Sequence, residues 1–171
     1  MSQTLSMYQA SIPVFTRALR NLKHVLQKGE AYAQERGFDA NVLLQARLYP
    51  DMLPLVRQVQ IATDNAKFGA ARLTGTESPR FEDNETSFGE LYDRLTRVIE
   101  YLGTFDEAAF AGSEDREVTV PTRSRGDLKF DGRGYLLGFA TPNVYFHVTT
   151  AYAILRHNGV PVGKQDFLGG R

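Results

Sequence analysis

The chain contains no cysteine. That absence excludes disulfides, thiolate metal sites and a cysteine nucleophile, and it agrees with a reducing compartment. Charge of one sign is missing too, since twenty Lys and Arg residues balance twenty Asp and Glu. With no global field, neither nucleic acid nor an anionic membrane surface is an expected partner. No stretch approaches the ~20 apolar residues that a membrane span requires. Met1-Ser2-Gln3-Thr4-Leu5 has no basic segment leading into an apolar run, so no secretory signal is expected there. A phosphate-binding glycine loop, H-E-x-x-H, an EF-hand pattern and G-x-S-x-G are all absent. These absences point to a cytoplasmic protein whose chemistry follows no standard motif.

What is present suits one domain, residues 1–171. The chain has 171 residues, 42% hydrophobic and 23% charged, which are ordinary globular proportions. A chain of this size removes roughly two thirds of its unfolded surface from water, so its core needs no covalent staple.

Helical periodicity dominates. Tyr8, Ile12, Phe15, Leu19, Leu22 and Leu26 recur at three- and four-residue steps and predict a helix from Leu5 to Lys28. Pro13 inside it predicts a kink or a later start. Gly29 weakens its end, with another turn or two over Glu30–Arg36, and Asn41-Val42-Leu43-Leu44 predicts a short helix. A second long helix is expected over Met52–Leu73, with the stripe Val56, Val59, Thr63, Ala66 and Ala70 and a stop at Gly75. Ser87 and Glu90 form an S-x-x-E capping box ahead of Phe88, Leu91, Leu95, Val98, Ile99 and Leu102, a third helix. Glu117–Val120 alternates as a strand does, and Asp127–Phe130 can pair with it through a turn at Arg123–Gly126. Thr141 as N-cap and Pro142 at the first helical position predict the start of a last helix that ends at Asn158-Gly159. The expected fold is mainly all-α, a four-helix bundle with a small β-hairpin inserted before the last helix.

Three histidines offer the natural candidates for chemistry. His24 falls about 200° from Leu22 on the helical wheel and reads as a solvated surface residue. His157 sits in a last helical turn, where a cation complements the dipole. His147 differs, because it lies on the inward stripe between Val144 and Ala151, with Asn143 one turn earlier. Gln60 and Asp64 occupy the matching inward positions of the second helix. An unpaired buried polar group costs roughly 1–3 kcal/mol, so the economical expectation is that these two pairs meet. An Asp64–His147 hydrogen bond would raise the His147 pKa and fix its tautomer. Such a pair serves a general base, with His147 and Asp64 as catalytic candidates, a weak metal site, or a satisfied polar core. Tyr145, Phe146 and Tyr152 add aromatics to the last helix, with Tyr152 a candidate ligand contact beside the plainer reading as core. Arg123, Arg125, Lys129 and Arg133 bias the hairpin towards positive charge, diluted by Asp127 and Asp131. The turn-rich tail Gly159–Gly169 carries apolar anchors that either fold back across the bundle or reach a neighbouring subunit.

The run from His147 to Gly159, His147-Val148-Thr149-Thr150-Ala151-Tyr152-Ala153-Ile154-Leu155-Arg156-His157-Asn158-Gly159, resembles the last helix of the DinB/YfiT-like superfamily. With Tyr49-Pro50-Asp51-Met52, Gln58-Val59-Gln60-Ile61-Ala62, Val160-Pro161-Val162-Gly163-Lys164 and Asp166-Phe167-Leu168-Gly169, the chain resembles an uncharacterised bacterial domain-of-unknown-function family within that superfamily. The resemblance covers nearly the whole chain. It implies an up-down four-helix bundle, often a homodimer. In many superfamily members it also implies a divalent metal, zinc or nickel, held by three histidines. One comes from the second helix and an H-x-x-x-H pair comes from the fourth. Some such members are thiol-dependent transferases or related enzymes.

Aligning Leu155-Arg156 with the family's Leu-Arg places Gln60, Asn143 and His147 where those histidines would stand. One imidazole and two neutral amides make a poor transition-metal site, so the usual triad is expected to be degenerate and no cofactor is expected. The leading expectation is a bundle that binds a small molecule or a protein partner at Gln60, Asp64, Asn143, His147 and Tyr152. A metal- or His-dependent hydrolase or transferase is the first alternative. A structural or stress-response dimer, in which the polar cluster only fixes helix register, is the second.

Overall fold

The structure is a computed structural model that describes residues 4–122, 124 and 126–170. Helix α1 spans Ile12–Arg36, later at both ends than the periodicity predicts. Its start is set by Pro13, which is tolerated only in a first turn where its missing donor would be unpaired anyway. Gly29 does not end the helix. A Cβ there would stand 2.9 Å from a Leu155 methyl, so this glycine lets α1 approach the last long helix, and the run over Glu30–Arg36 is continuous with α1. The true stop is Gly37, at φ 75°.

After a short 3₁₀ turn, Ala40–Gln45, helix α2 runs Leu55–Thr74 from Pro54 to Gly75. It is buried around most of its circumference, with Val59, Ala62, Ala66 and Ala70 fully enclosed. Its small residues serve close packing, for a Cβ on Gly69 would come within 2.8 Å of the Phe15 ring. Helix α3, Phe88–Leu102, begins at the expected capping box. The Glu90 N–H donates to Ser87 Oγ at 3.2 Å, and the Ser87 N–H donates to Glu90 Oε2 at 3.0 Å.

Strands β1, Val118–Thr122, and β2, Gly126–Phe130, form the expected antiparallel hairpin, in register from Val118↔Phe130 to Thr122↔Gly126. Val118 and Val120 turn inward to join the core. Arg123 and Arg125, half of the hairpin's proposed basic bias, lie outside the described residues.

The start of the last helix differs from expectation. Asp131 is the cap, accepting from the Gly134 N–H at 2.6 Å, and it opens the single turn α4, Gly132–Tyr135. A π-helical turn, Leu136–Ala140, then leads without a break into α5, Thr141–His157. Thr141 is therefore not a cap. Its backbone is helical, and its hydroxyl is buried without a partner. Pro142 sits inside the rod, where a proline lacks a donor and crowds the carbonyl one turn back. The wider π turn before it is the local adjustment that usually accompanies such a defect.

Helices α1, α2, α3 and α5 close the four-helix bundle around Phe15, Leu19, Leu95, Val144 and Leu155. Past Gly159, at φ 89°, the tail forms α6, Lys164–Leu168, and folds back onto α1. Lys28 pairs with Asp166 at 2.9 Å, and Asn21 and Arg17 donate to the carbonyls of Phe167 and Leu168. Among the described residues, no helix is long and apolar enough to cross a membrane.

Candidate functional site

Two glutamines on α2 decide where the polar groups go. Gln58 and Gln60 are two residues apart, so their side chains leave the helix about 200° apart. Both are buried. Gln58 faces α5, where its Oε1 lies 2.8 Å from His147 Nδ1. Its amide NH₂ donates to the Leu53 carbonyl at 3.0 Å, which fixes the amide orientation and leaves the oxygen for the histidine. His147 Nδ1 must then carry the proton, and Nε2 keeps its lone pair. Burial pushes the His147 pKa down to about 4, so the ring is neutral at physiological pH.

Asn143 stands one turn before His147, and its NH₂ donates to the Phe139 carbonyl at 2.7 Å, leaving Oδ1 free. Neither His147 Nε2 nor Asn143 Oδ1 has a partner among the described residues. Neither is sealed from solvent, because the sealed and unpartnered side-chain atoms among the described residues are Ser113 Oγ and Thr141 Oγ1. The α5 flank thus presents two acceptors, beside the second N–H of the Asn143 amide. Phe146, 59% exposed and edge-on to the His147 ring, borders them.

Gln60 and Asp64 do not join this pair. They face α3, where Arg94 emerges from the middle of the apolar stripe with a side chain only 1% exposed. Arg94 Nη2 reaches Asp64 Oδ1 at 3.0 Å, Nη1 reaches Glu85 Oε1 at 2.9 Å and Asp83 Oδ1 at 3.0 Å, and Nε donates to Thr63 Oγ1 at 2.8 Å. Lys67 Nζ also pairs with Asp64 Oδ1, at 3.0 Å. Gln60 accepts from Arg57 at 2.6 Å and donates to Glu85 at 2.7 Å. The expected Asp64–His147 hydrogen bond is therefore not formed, and the His147 pKa moves down rather than up. The inward stripe of α2 is wide enough to meet two different helices, and each polar group takes the nearer partner.

His24 stands on the surface, as its wheel position predicts, with Nε2 3.2 Å from Asp166 Oδ1, and His157 is exposed. Tyr152 is half-buried. Its ring meets Phe167 edge-on at 6.0 Å, and its hydroxyl donates to the Val162 carbonyl at 3.5 Å. Gln58 and Arg94 were both missed by sequence reasoning, though each left a signal. Gln58 lies one residue before the inward Val59, and Arg94 lies directly beside Leu95 on an otherwise apolar face.

The three positions that would carry metal-binding histidines do not fit a zinc or nickel ion. Both polar atoms of Gln60 are committed to Arg57 and Glu85, on the opposite side of α2 from the Gln58–His147 contact. What remains is one imidazole nitrogen and one neutral amide oxygen, a weak pair for a transition metal. Among the described residues, no group of three or more His, Cys, Asp or Glu side chains is placed to hold an ion.

Two comparisons place the chain among known proteins. The model of a domain of unknown function, DUF1993, matches residues 7–168. A crystal structure of a DinB family member from Shewanella denitrificans is similar at 44% identity, over 96% of this chain and 93% of that one, with a TM-score of 0.90. Comparison with curated proteins gives no match.

Proposed function

Because the chain belongs to the DUF1993 family, whose bundle fold does not by itself specify an activity, we propose a function from the α5 flank alone: it binds a small molecule bearing a hydrogen-bond donor. The ligand donates to His147 Nε2 and Asn143 Oδ1 and lays an apolar portion against Phe146. The single observation that carries this reading is the pinned imidazole, with its proton held by buried Gln58 and its Nε2 unpartnered among the described residues and not sealed from solvent. Pre-orientation of this kind lowers the cost of binding.

The same geometry weighs against acid–base catalysis. A base with a pKa of about 4 is far below the operating pH at which general-base catalysis is most effective. A hydrolase or transferase is therefore the weaker reading. A cytoplasmic homodimer remains part of the proposal, and exposed Tyr49 and Leu53 beside Gln58 offer apolar surface for a second copy.

The test combines metal analysis with NMR of the His147 ring. Untagged protein, before and after dialysis against zinc and nickel, is expected to carry no stoichiometric metal. Amide- or amine-bearing fragments are expected to shift the His147 ring resonances in a saturable way. Stoichiometric metal that disappears in His147→Ala would overturn the reading in favour of a metalloenzyme.

A further inference from the structure

A second cleft lies on the other side of α2, about 530 Å³ in volume, between that helix and the loop leading to α3. Its floor holds Asp64, Lys67 and Phe68, and its rim holds Glu77, Ser78, Arg80 and Phe81. Lys67 is unusual for a lining residue, because its side chain is only 3% exposed. Burying an ammonium is costly unless its hydrogen-bonding capacity is met. Of three N–H donors, one is directed at Asp64 Oδ1. Among the described residues Nζ makes no further hydrogen bond or ion pair, and it lies 4.6 Å from the Phe68 ring centre and 4.7 Å from that of Phe81.

Asp64 is the carboxylate that Lys67 pairs with. The oxygen that Lys67 uses is shared with Arg94, whose other ion pairs, to Asp83 and Glu85, lie outside the cleft lining. Phe81 is approached by Lys67, Arg94 and Arg97, the last at 4.2 Å from the ring centre. Arg80, on the rim, makes no hydrogen bond or ion pair with any described residue. Glu77 is the opposing charge, but it is exposed and therefore screened by solvent.

We propose that this cleft is a binding site for a small organic oxyanion, a carboxylate or phosphate held between Lys67 Nζ and the Arg80 guanidinium, with an apolar body against Phe68 and Phe81. Such a ligand supplies the acceptors that Lys67 lacks. It is independent of the His147 flank, because neither His147 nor Asn143 lines this cleft.

Backbone amide NMR at constant ionic strength tests it, with benzoate and inorganic phosphate as probes. Saturable shifts at the amides of Ser78, Arg80 and Phe81 are expected with at least one probe. Tighter binding of benzoate identifies a carboxylate on a ring, and tighter binding of phosphate identifies a phosphoryl group. Arg80→Ala alters an exposed side chain and is expected to fold normally while weakening binding about tenfold, the loss of a charge-assisted contact. Lys67→Met should abolish binding, and Glu77→Gln should tighten it a few-fold. The proposal is overturned if neither probe saturates, if chloride alone reproduces the shifts, or if Arg80→Ala binds as the unaltered protein does.

Discussion

Arg94 is the most consequential single side chain outside the apolar core. Its guanidinium has left water almost completely, and it is compensated by Asp64, Asp83 and Glu85 together with the Thr63 hydroxyl. Removing its centre leaves the remaining carboxylates with fewer partners. Arg94→Met keeps much of the side-chain length yet leaves the nearly buried Glu85 with only the Gln60 amide, while Asp64 keeps Lys67 and Asp83 keeps Arg57, and it should cost about 3 kcal/mol. Urea unfolding would show this as a lower midpoint with an unchanged slope. A loss of less than about 1 kcal/mol would mean that the loop relaxes and rehydrates its carboxylates. The hub also ties the loop before α3 to α2, through the Glu82 carbonyl, Asp83 and Glu85 on one side and Asp64 on the other.

At the scale of elements, the point of least tolerance is the start of α4. Gly132 lies so close to the Ser113 carbonyl that a Cβ at that position would run into backbone, not into a side chain that can swing away. Gly29 is a milder case, since the Leu155 methyls it would meet can shift. Gly132→Ala is therefore expected to destabilise more than Gly29→Ala, by roughly 1–3 kcal/mol or more against about 1 kcal/mol. Thermal melts of the two variants side by side check the order, and equal melting temperatures would show that the Ser113 turn moves freely. What depends on this junction is the rod of α4, the π turn and α5, which carries Asn143 and His147 to their places.

At the scale of the whole molecule, His147 couples the site to stability. Its folded pKa is depressed to about 4 from an ordinary value near 6.5, because burial disfavours the charged ring. Between those values the unfolded chain binds the proton and the folded chain does not, so stability rises with pH there. The contribution is fully present above about pH 6.5, is lost as pH falls toward 4, and falls no further below it. Denaturant unfolding from pH 7.5 to 4 should show that decline, and His147→Gln, which cannot titrate, should flatten it. An identical slope in the variant would assign the decline to other groups.

The sequence by itself determined the four long helices and the hairpin, though not the short turns α4 and α6 or the π turn. Periodicity at Phe15–Leu26, Val56–Ala70, Leu91–Leu102 and Val144–Leu155 is local, as are the capping box at Ser87 and the alternation at Val118–Val120, so each can be read without knowing its neighbours. It also located His147 as a buried histidine and marked Gln60 and Asp64 as inward-facing. Tertiary structure alone decided the partners. An inward direction on a helix wheel spans a wide arc, and a helix as enclosed as α2 meets one neighbour on one side and another on the opposite side. A spacing of two residues sends Gln58 to α5 and Gln60 to α3, and that separation, invisible in a list of inward residues, puts His147 with a glutamine and Asp64 with an arginine. The junction at Thr141 and Pro142 was misread for the same reason. Cap chemistry is local, but whether a chain must stop at such a signal depends on packing further back, where Asp131 had already begun the helix.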